Sequence, residues 1–461
     1  MTETWTSSSV DAHLDWTPGS GRKALADAIR AAIRDGRWQP DAVVPSTRAL
    51  AADLGVARGT VTRVYADLAA EGYLRTSQGA PTRVATAGAA PLSAPRHTRT
   101  TRPRWTLMAG QPDPSLFPRD LWLASTRRVL AHTPNDTFSF PEPRGSLVLR
   151  TTLAAYLGRS RGVIADPARI VVVAGFSHAL AVLGRALADL GIRETAFEDP
   201  SIRMFREFVA GAGQRVTGVP VDGDGLVVDR LTSPAVVVTP AHQAPLGVTL
   251  APGRRTALAR HGAIVIEDDY DGEFRYDRHQ VGALQALAPE RIVYAGTTSK
   301  SLSPSLRLGW LVLPRFLVDP VIAAIRRTGG VPPLLDQLVL ADLISSGAYD
   351  RHVRRCRLEY RSRRDRVVAA LPLVPQGISA GLQLFVPLPA EVEAAVPAAA
   401  ARRSLAIEPI SPHAIGTPLT GLMIGYGAPS RPSFGGALAA LLDVLADIGV
   451  SGTGATGRPA P

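Results

Sequence analysis

Beyond residue 105, short uninterrupted apolar runs alternate with helical stretches, and this alternation narrows the possible folds more than any other feature of the chain. The runs fall at 170–174, 195–197, 235–239, 263–266, 292–295 and 309–313, with helical spacing up to residue 190 and again up to 260. Strands that are apolar on both faces and separated by helices predict an α/β fold, a mostly parallel sheet covered on both sides. In such sheets ligands sit at the carboxyl ends of the strands, so chemistry is expected in the loops that leave them.

Composition excludes several alternatives. The chain has 461 residues, which suits two or three domains, and 46% of them are hydrophobic, enough for a sizeable core. No 18-residue apolar stretch is present, and residues 1–16 lack the basic-then-apolar pattern of a secretory leader. A cytoplasmic protein with no membrane partner is therefore expected. The single cysteine, Cys356, excludes an intramolecular disulfide and a Cys-based zinc cluster, and no metal site is expected. A formal charge of +11 is compatible with a polyanionic partner without requiring one.

Residues 18–84 read as a separate unit. Leu25, Ala28, Ile29, Ala32 and Ile33 mark one helix, and Ser46 caps a second that ends at Gly55. A third runs from Ala57 to Glu71 with Val61, Val64, Tyr65 and Leu68 on one face, and two short strands follow around a turn at Gly79. A helix-turn-helix with a wing places the start of its last helix in the DNA major groove. Arg48, Arg58, Thr60, Thr62 and Arg63 are of the types that contact bases and phosphates, with Arg75 and Arg83 on the wing. Charge is neutral on the matter, with 13 basic against 9 acidic residues over 1–103. The run VPSTRALAADLGVARGTVTRVYADLAAEGYL at 44–74 resembles the winged helix-turn-helix of GntR-type transcription factors. The resemblance implies a double-stranded DNA operator, contacts from Arg48 and Arg58, and Thr60 and Gly79 near the backbone. Residues 85–104, rich in Ala, Pro, Thr and Arg, read as an exposed linker to a domain at 105–450.

Of 51 Lys and Arg residues only Lys23 and Lys300 are lysine. A chain that uses arginine wherever a positive charge suffices keeps lysine where an amine must lose its proton, as in Schiff-base formation. Lys300 follows the strand at 292–295 and is flanked by Thr297, Ser299 and Arg307, a set able to hold a phosphate beside an amine. Pyridoxal 5'-phosphate needs both groups. After the strand at 263–266 stands Glu267-Asp268-Asp269-Tyr270-Asp271. Asp268 is placed to keep the cofactor's pyridine nitrogen protonated and Tyr270 to reach the ring oxygen; the competing reading is a divalent-metal site formed by the four carboxylates. His242 and Gln243, after the strand at 235–239, offer a further donor to the ring oxygen, and Gly175, Phe176 and Ser177 offer backbone N–H groups to the phosphate at a helix start.

Taken in order, these segments resemble the fold-type I aminotransferase domain, and the whole chain is similar to the MocR family of regulators. The resemblance implies a Schiff base at Lys300, a pyridine-nitrogen contact from Asp268, a ring-oxygen contact from Tyr270, phosphate binding by Arg307, Thr297 and Ser299, and a head-to-tail homodimer. Four positions depart from the pattern. Phe140 replaces a tyrosine that would assist the phosphate, Ile202 replaces the aromatic that stacks on the ring, Ser177-His178 replaces a pair of glutamines, and Met423 stands where an arginine would grip a substrate carboxylate. A bidentate clamp orients an amino acid for proton abstraction, so its loss favours a sensor over a working enzyme. The expected effector is an amine or amino acid, or pyridoxal phosphate itself; the alternative is an aminotransferase with an N-terminal extension.

Overall fold

The computed structural model describes residues 14–77, 80–85, 103–276 and 281–450. The chain divides into two compact units, residues 1–101 and 102–461. Gly79 and most of the expected linker, 86–102, lie outside the described residues.

In the first unit, helix α1 (Gly21–Arg34) buries Leu25, Ile29, Ala32 and Ile33 against α3 (Arg58–Ala70), which contributes Val61, Val64, Tyr65 and Leu68 to a core closed by Trp38. Between them α2 (Thr47–Asp53) begins at Ser46, whose hydroxyl accepts the Ala49 N–H at 3.1 Å, a cap that contributes about 1 kcal/mol. Tyr65 donates to the Pro45 carbonyl at 2.8 Å, and Arg30 forks onto Glu71 at 2.8 and 2.7 Å, fixing α1 and α2 against α3. The wing is the antiparallel pair Leu74–Arg75 and Arg83–Val84, with Leu74 opposite Val84.

The second unit is built on eight strands. Their order across the sheet is Ile170–Val173, Gly309–Val312, Ile292–Thr297, Ile264–Asp269, Ala235–Val238, Glu194–Asp199, Arg215–Asp222 and Gly225–Leu226. The five strands from Ile292–Thr297 to Arg215–Asp222 run parallel, as their apolar character predicts. Gly309–Val312 runs against both neighbours. It has to, because it pairs directly with Ile292–Thr297 after a connection too short for a crossover. Lys300 and Arg307 therefore lie on one hairpin at the carboxyl end of the sheet. Helix Gly175–Asp189 packs on one face with Leu180, Leu183 and Leu187, and helix Leu334–Ser345 lies in the core of the other.

A smaller three-stranded sheet of Leu384–Pro387, Gly421–Ile424 and Glu408–Pro409 follows, packed against helices Ala390–Arg402 and Phe434–Asp447. It is clasped to the main sheet at Asp199, whose carboxylate accepts the N–H groups of Ile415, Gly416 and Thr417 at 2.7, 2.9 and 2.9 Å. A second clasp is Arg363, buried on the long helix Ala348–Ala370. It donates to Asp113 at 2.6 Å, to the Pro429 carbonyl at 2.8 Å and to Glu359 at 3.0 Å. Among the described residues no helix is long and apolar enough to cross a membrane.

Candidate cofactor pocket and DNA-contact face

The strand ends converge on a cavity of about 250 Å³, with Lys300, Asp268, Tyr270, Thr297, Ser299 and Arg307 in its wall. The two-residue period of a strand explains why only one of the clustered carboxylates enters it. Glu267 and Asp269 point to the opposite face, where Glu267 accepts the N–H groups of Leu284 and Gln285, both at 2.8 Å. Asp269 takes a fork from Arg161 at 2.6 and 2.9 Å and the Tyr294 hydroxyl at 2.7 Å. Asp271 is 2.7 Å from the Nδ1 of His242. The four carboxylates are thus dispersed among separate partners.

Asp268 itself is buried, and its Oδ1 has no hydrogen-bond partner. Burial pushes its carboxyl well above the usual range, opposed by the ammonium form of Lys300. Burial also pulls the Lys300 amine below its ordinary pKa, with Asp268 and Asp271 opposing. Both groups are drawn towards neutrality, so the amine is a better nucleophile than an exposed lysine. Its Nζ donates to the Gly110 carbonyl at 2.5 Å.

At the other end Arg307 adopts a left-handed φ of 52° and pairs with no carboxylate among the described residues. Its guanidinium lies against Gly175, where a Cβ would stand 3.4 Å from Nη1, and Gly175 has a φ of 78°. Ser177 and Phe176 begin the helix there, and His178 turns back so that its Nδ1 accepts the Ala174 N–H at 3.0 Å. The Thr297 and Ser299 hydroxyls meet at 2.8 Å. A lone guanidinium, two hydroxyls and a helix N-terminus are groups that could hold a dianion. Together with an amine and an orphaned carboxyl oxygen, the donor set fits pyridoxal phosphate.

His242 and Gln243 do not reach the cavity wall, contrary to the expectation from sequence. The His242 ring packs behind Tyr270, whose hydroxyl lies 3.0 Å from Nδ1 and donates to the His242 carbonyl at 3.1 Å. Gln243 spends its amide on the carbonyls of Pro200 and Ala244, at 2.9 and 3.1 Å, and on the Leu246 N–H at 2.9 Å. Of the departures, Ile202 lines the cavity and Phe140 is fully exposed. Met423 is buried with Phe385 and Ile410, so apolar side chains fill the place expected for the arginine. Among the wall residues not singled out from the sequence are Glu198 and Gln383. Glu198, pushed up to about 7 by burial, accepts the Thr239 hydroxyl at 2.6 Å, and Gln383 borders the cavity near Lys300.

In the first unit Arg48, Arg58, Thr62 and Arg63 are exposed and Thr60 is half-buried. Thr62 donates to the Arg58 carbonyl at 3.0 Å and Arg63 to that of Gly59 at 3.3 Å, while Arg48 and Arg58 pair with no carboxylate among the described residues. The wing arginines are not similarly free. Arg75 pairs with the Asp41 carboxylate at 2.8 Å and Arg83 donates to the Asp41 carbonyl at 2.6 Å.

Residues 22–84 match the family described as bacterial regulatory proteins of the gntR family, and 107–417 match aminotransferase class I and II, a PLP-dependent fold family. The probable rhizopine catabolism regulatory protein MocR of Rhizobium meliloti is 35% identical over 376 residues, 75% of this chain and 76% of that one. The HTH-type pyridoxine biosynthesis transcriptional regulator PdxR of Corynebacterium glutamicum is 32% identical over 448 residues, 93% of this chain and 96% of that one. Among solved structures, an archaeal alanine:glyoxylate aminotransferase superposes with a TM-score of 0.68 at 24% identity, covering 75% of this chain and 90% of its own, which shows a shared fold. With a GntR-type winged helix-turn-helix followed by an aminotransferase class I and II fold, and relatives of this likeness along most of its length, the chain belongs to the MocR family of transcription regulators.

Proposed function

We propose that the chain binds an operator through its first unit and holds pyridoxal 5'-phosphate on Lys300 in its second, so that occupancy of the cavity changes DNA binding. The observation that carries this reading is the opposition, across one cavity, of Lys300, the orphaned Asp268 Oδ1 and the unpaired Arg307. Asp268 would face the pyridine nitrogen, Tyr270 the ring oxygen, and Arg307 with Thr297, Ser299 and the Gly175–Ser177 backbone the phosphate. When bound, the cofactor supplies an aldehyde that exchanges amines. Lys300 supplies the amine, Asp268 a carboxylate that holds a proton on the ring, and Ile202 and Phe176 exclude water. The effector is an amine or amino acid, or the cofactor itself, and it acts only through unequal affinity for two arrangements of the protein.

A head-to-tail homodimer belongs to the same proposal. Phe140, Leu147 and Val148 are exposed on one stretch of chain, with Leu121, Leu123 and Leu130 exposed on helix Arg119–His132, an apolar surface suited to a second copy.

The reading is tested by the affinity of the full-length protein for DNA upstream of its own gene, by fluorescence anisotropy with and without pyridoxal phosphate. A severalfold change is expected; equal affinities at saturating cofactor would reject the coupling. On the DNA side, Arg58→Ala should weaken operator binding by about 1–3 kcal/mol while leaving non-specific binding nearly intact, as for an arginine that reads a base. Equal losses on operator and random DNA would make Arg58 a phosphate contact instead.

A further inference from the structure

The end of the cavity beyond Lys300 is closed by Gln383. This residue is only 6% exposed and directly precedes strand Leu384–Pro387, held by the Gly427 N–H on the Leu382 carbonyl at 3.0 Å. Its carboxamide borders the cavity and has no hydrogen-bond partner among the described residues. A Cβ on Gly110 would lie 3.2 Å from Lys300 Nζ and 3.6 Å from Gln383 Oε1, so amine and amide face one small volume. Neither its oxygen nor its nitrogen is sealed from the cavity, so both are open to pair with a ligand atom there.

The surroundings restrict which atom. Among the described residues the cations of the wall are Lys300 and Arg307, and Arg307 sits at the opposite end against Gly175. Phe385, Ile410 and Met423 fill the region where a carboxylate-binding arginine would stand. Glu198 and Asp268 share the wall. A ligand carboxylate beside Lys300 would be buried with no guanidinium and with acidic neighbours, whereas a neutral amide or hydroxyl would complete the donor and acceptor of Gln383. Sites built to hydrogen-bond one neutral group discriminate strongly against ligands that leave it unpaired.

We propose that Gln383 is the specificity-determining contact for an effector that is a primary amine bearing a neutral polar group, amide or hydroxyl, and that the cavity discriminates against amines bearing a carboxylate. The proposal rests on the reading that Lys300 carries pyridoxal phosphate. Its test titrates the full-length protein, loaded with the cofactor, with β-alaninamide and with β-alanine at matched free-base concentrations, following the visible absorption band. The amide should half-saturate the spectral change at a concentration at least about tenfold below the acid. Gln383→Leu should abolish that preference with the band intact, and Gln383→Arg should reverse it; Gln383→Met replaces the leucine variant if that protein is insoluble. Equal response to both amines in the wild type, or an undiminished preference in the leucine variant, would overturn the role of Gln383 while the cofactor reading stands. A protein with no Lys300-dependent band would overturn that reading and this proposal together.

Discussion

Alanine at position 300 is expected to abolish the visible absorption that pyridoxal phosphate gives with the wild-type protein, and no other substitution in the cavity wall should remove it completely. Lys300 is the only amine in that wall, so nothing can replace it in a covalent bond to the aldehyde. In the proposed reading Arg307 is a phosphate anchor and Asp268 a ring contact, so Arg307→Ala and Asp268→Asn should each weaken binding and leave a band at high cofactor concentration. The pH dependence has a defined sign. Burial lowers the Lys300 pKa, so the neutral amine is abundant at lower pH than for an exposed lysine. Cofactor capture should therefore rise with pH up to that lowered pKa and then level off. Stopped-flow absorbance at several pH values checks this, and a rate still climbing at the ordinary lysine pKa would show that burial does not activate the amine.

The second large effect lies away from the chemistry. Asp113→Ala should destabilise the second unit by about 3 kcal/mol, the lower end of the cost of leaving a buried charge without its partner. Arg363 is almost wholly buried, and the residue removed is its closest carboxylate. Its remaining bonds to Glu359 and the Pro429 carbonyl keep the loss from being greater. Asp113 also accepts the Ser115 N–H and hydroxyl at 2.7 and 2.6 Å, so the substitution should free the 110–116 segment, including the Gly110 carbonyl that holds Lys300. Urea unfolding measures the first effect and the pH profile of cofactor capture the second. Asp113→Asn, which keeps an acceptor, should cost less; equal losses for the two variants would show that charge rather than hydrogen bonding dominates the clasp.

Much of the scaffold is legible in the sequence where burial is two-sided. Val171, Val172 and Val173, or Val236, Val237 and Val238, leave little choice but a central strand. Arg215–Asp222 escapes the same reading because only one short strand lies beyond it and its residues alternate in exposure, so no continuous apolar run marks it. The site divides similarly. Lys300, Asp268 and Arg307 are legible because each lies at the carboxyl end of the parallel strands, Asp268 in the last residues of one and Lys300 and Arg307 on the connection after another, and carries a charge that a buried segment would otherwise avoid. His242 and Gln243 occupy an equivalent place in the sequence, yet their side chains turn inward to Asp271 and to the Pro200 and Ala244 carbonyls. Proximity to a strand end does not give side-chain direction. Gln383 is invisible for the opposite reason: Gly-Leu-Gln-Leu-Phe reads as an ordinary entry to a strand, and its position matters only because Gly110 and Lys300 are brought to it from far away in the chain.

The hairpin that carries both Lys300 and Arg307 bears on how such a protein diversifies. The amine and the guanidinium are held at a fixed spacing by the register of two paired strands, Ala295 opposite Leu311 and Thr297 opposite Gly309, so an insertion between them would break both anchors at once. Gln383 directly precedes a strand of a different sheet, where an exchange of one side chain leaves that register untouched. On the proposed role of Gln383, single substitutions would rewrite what the protein responds to while the apparatus that reports the response is inherited unchanged.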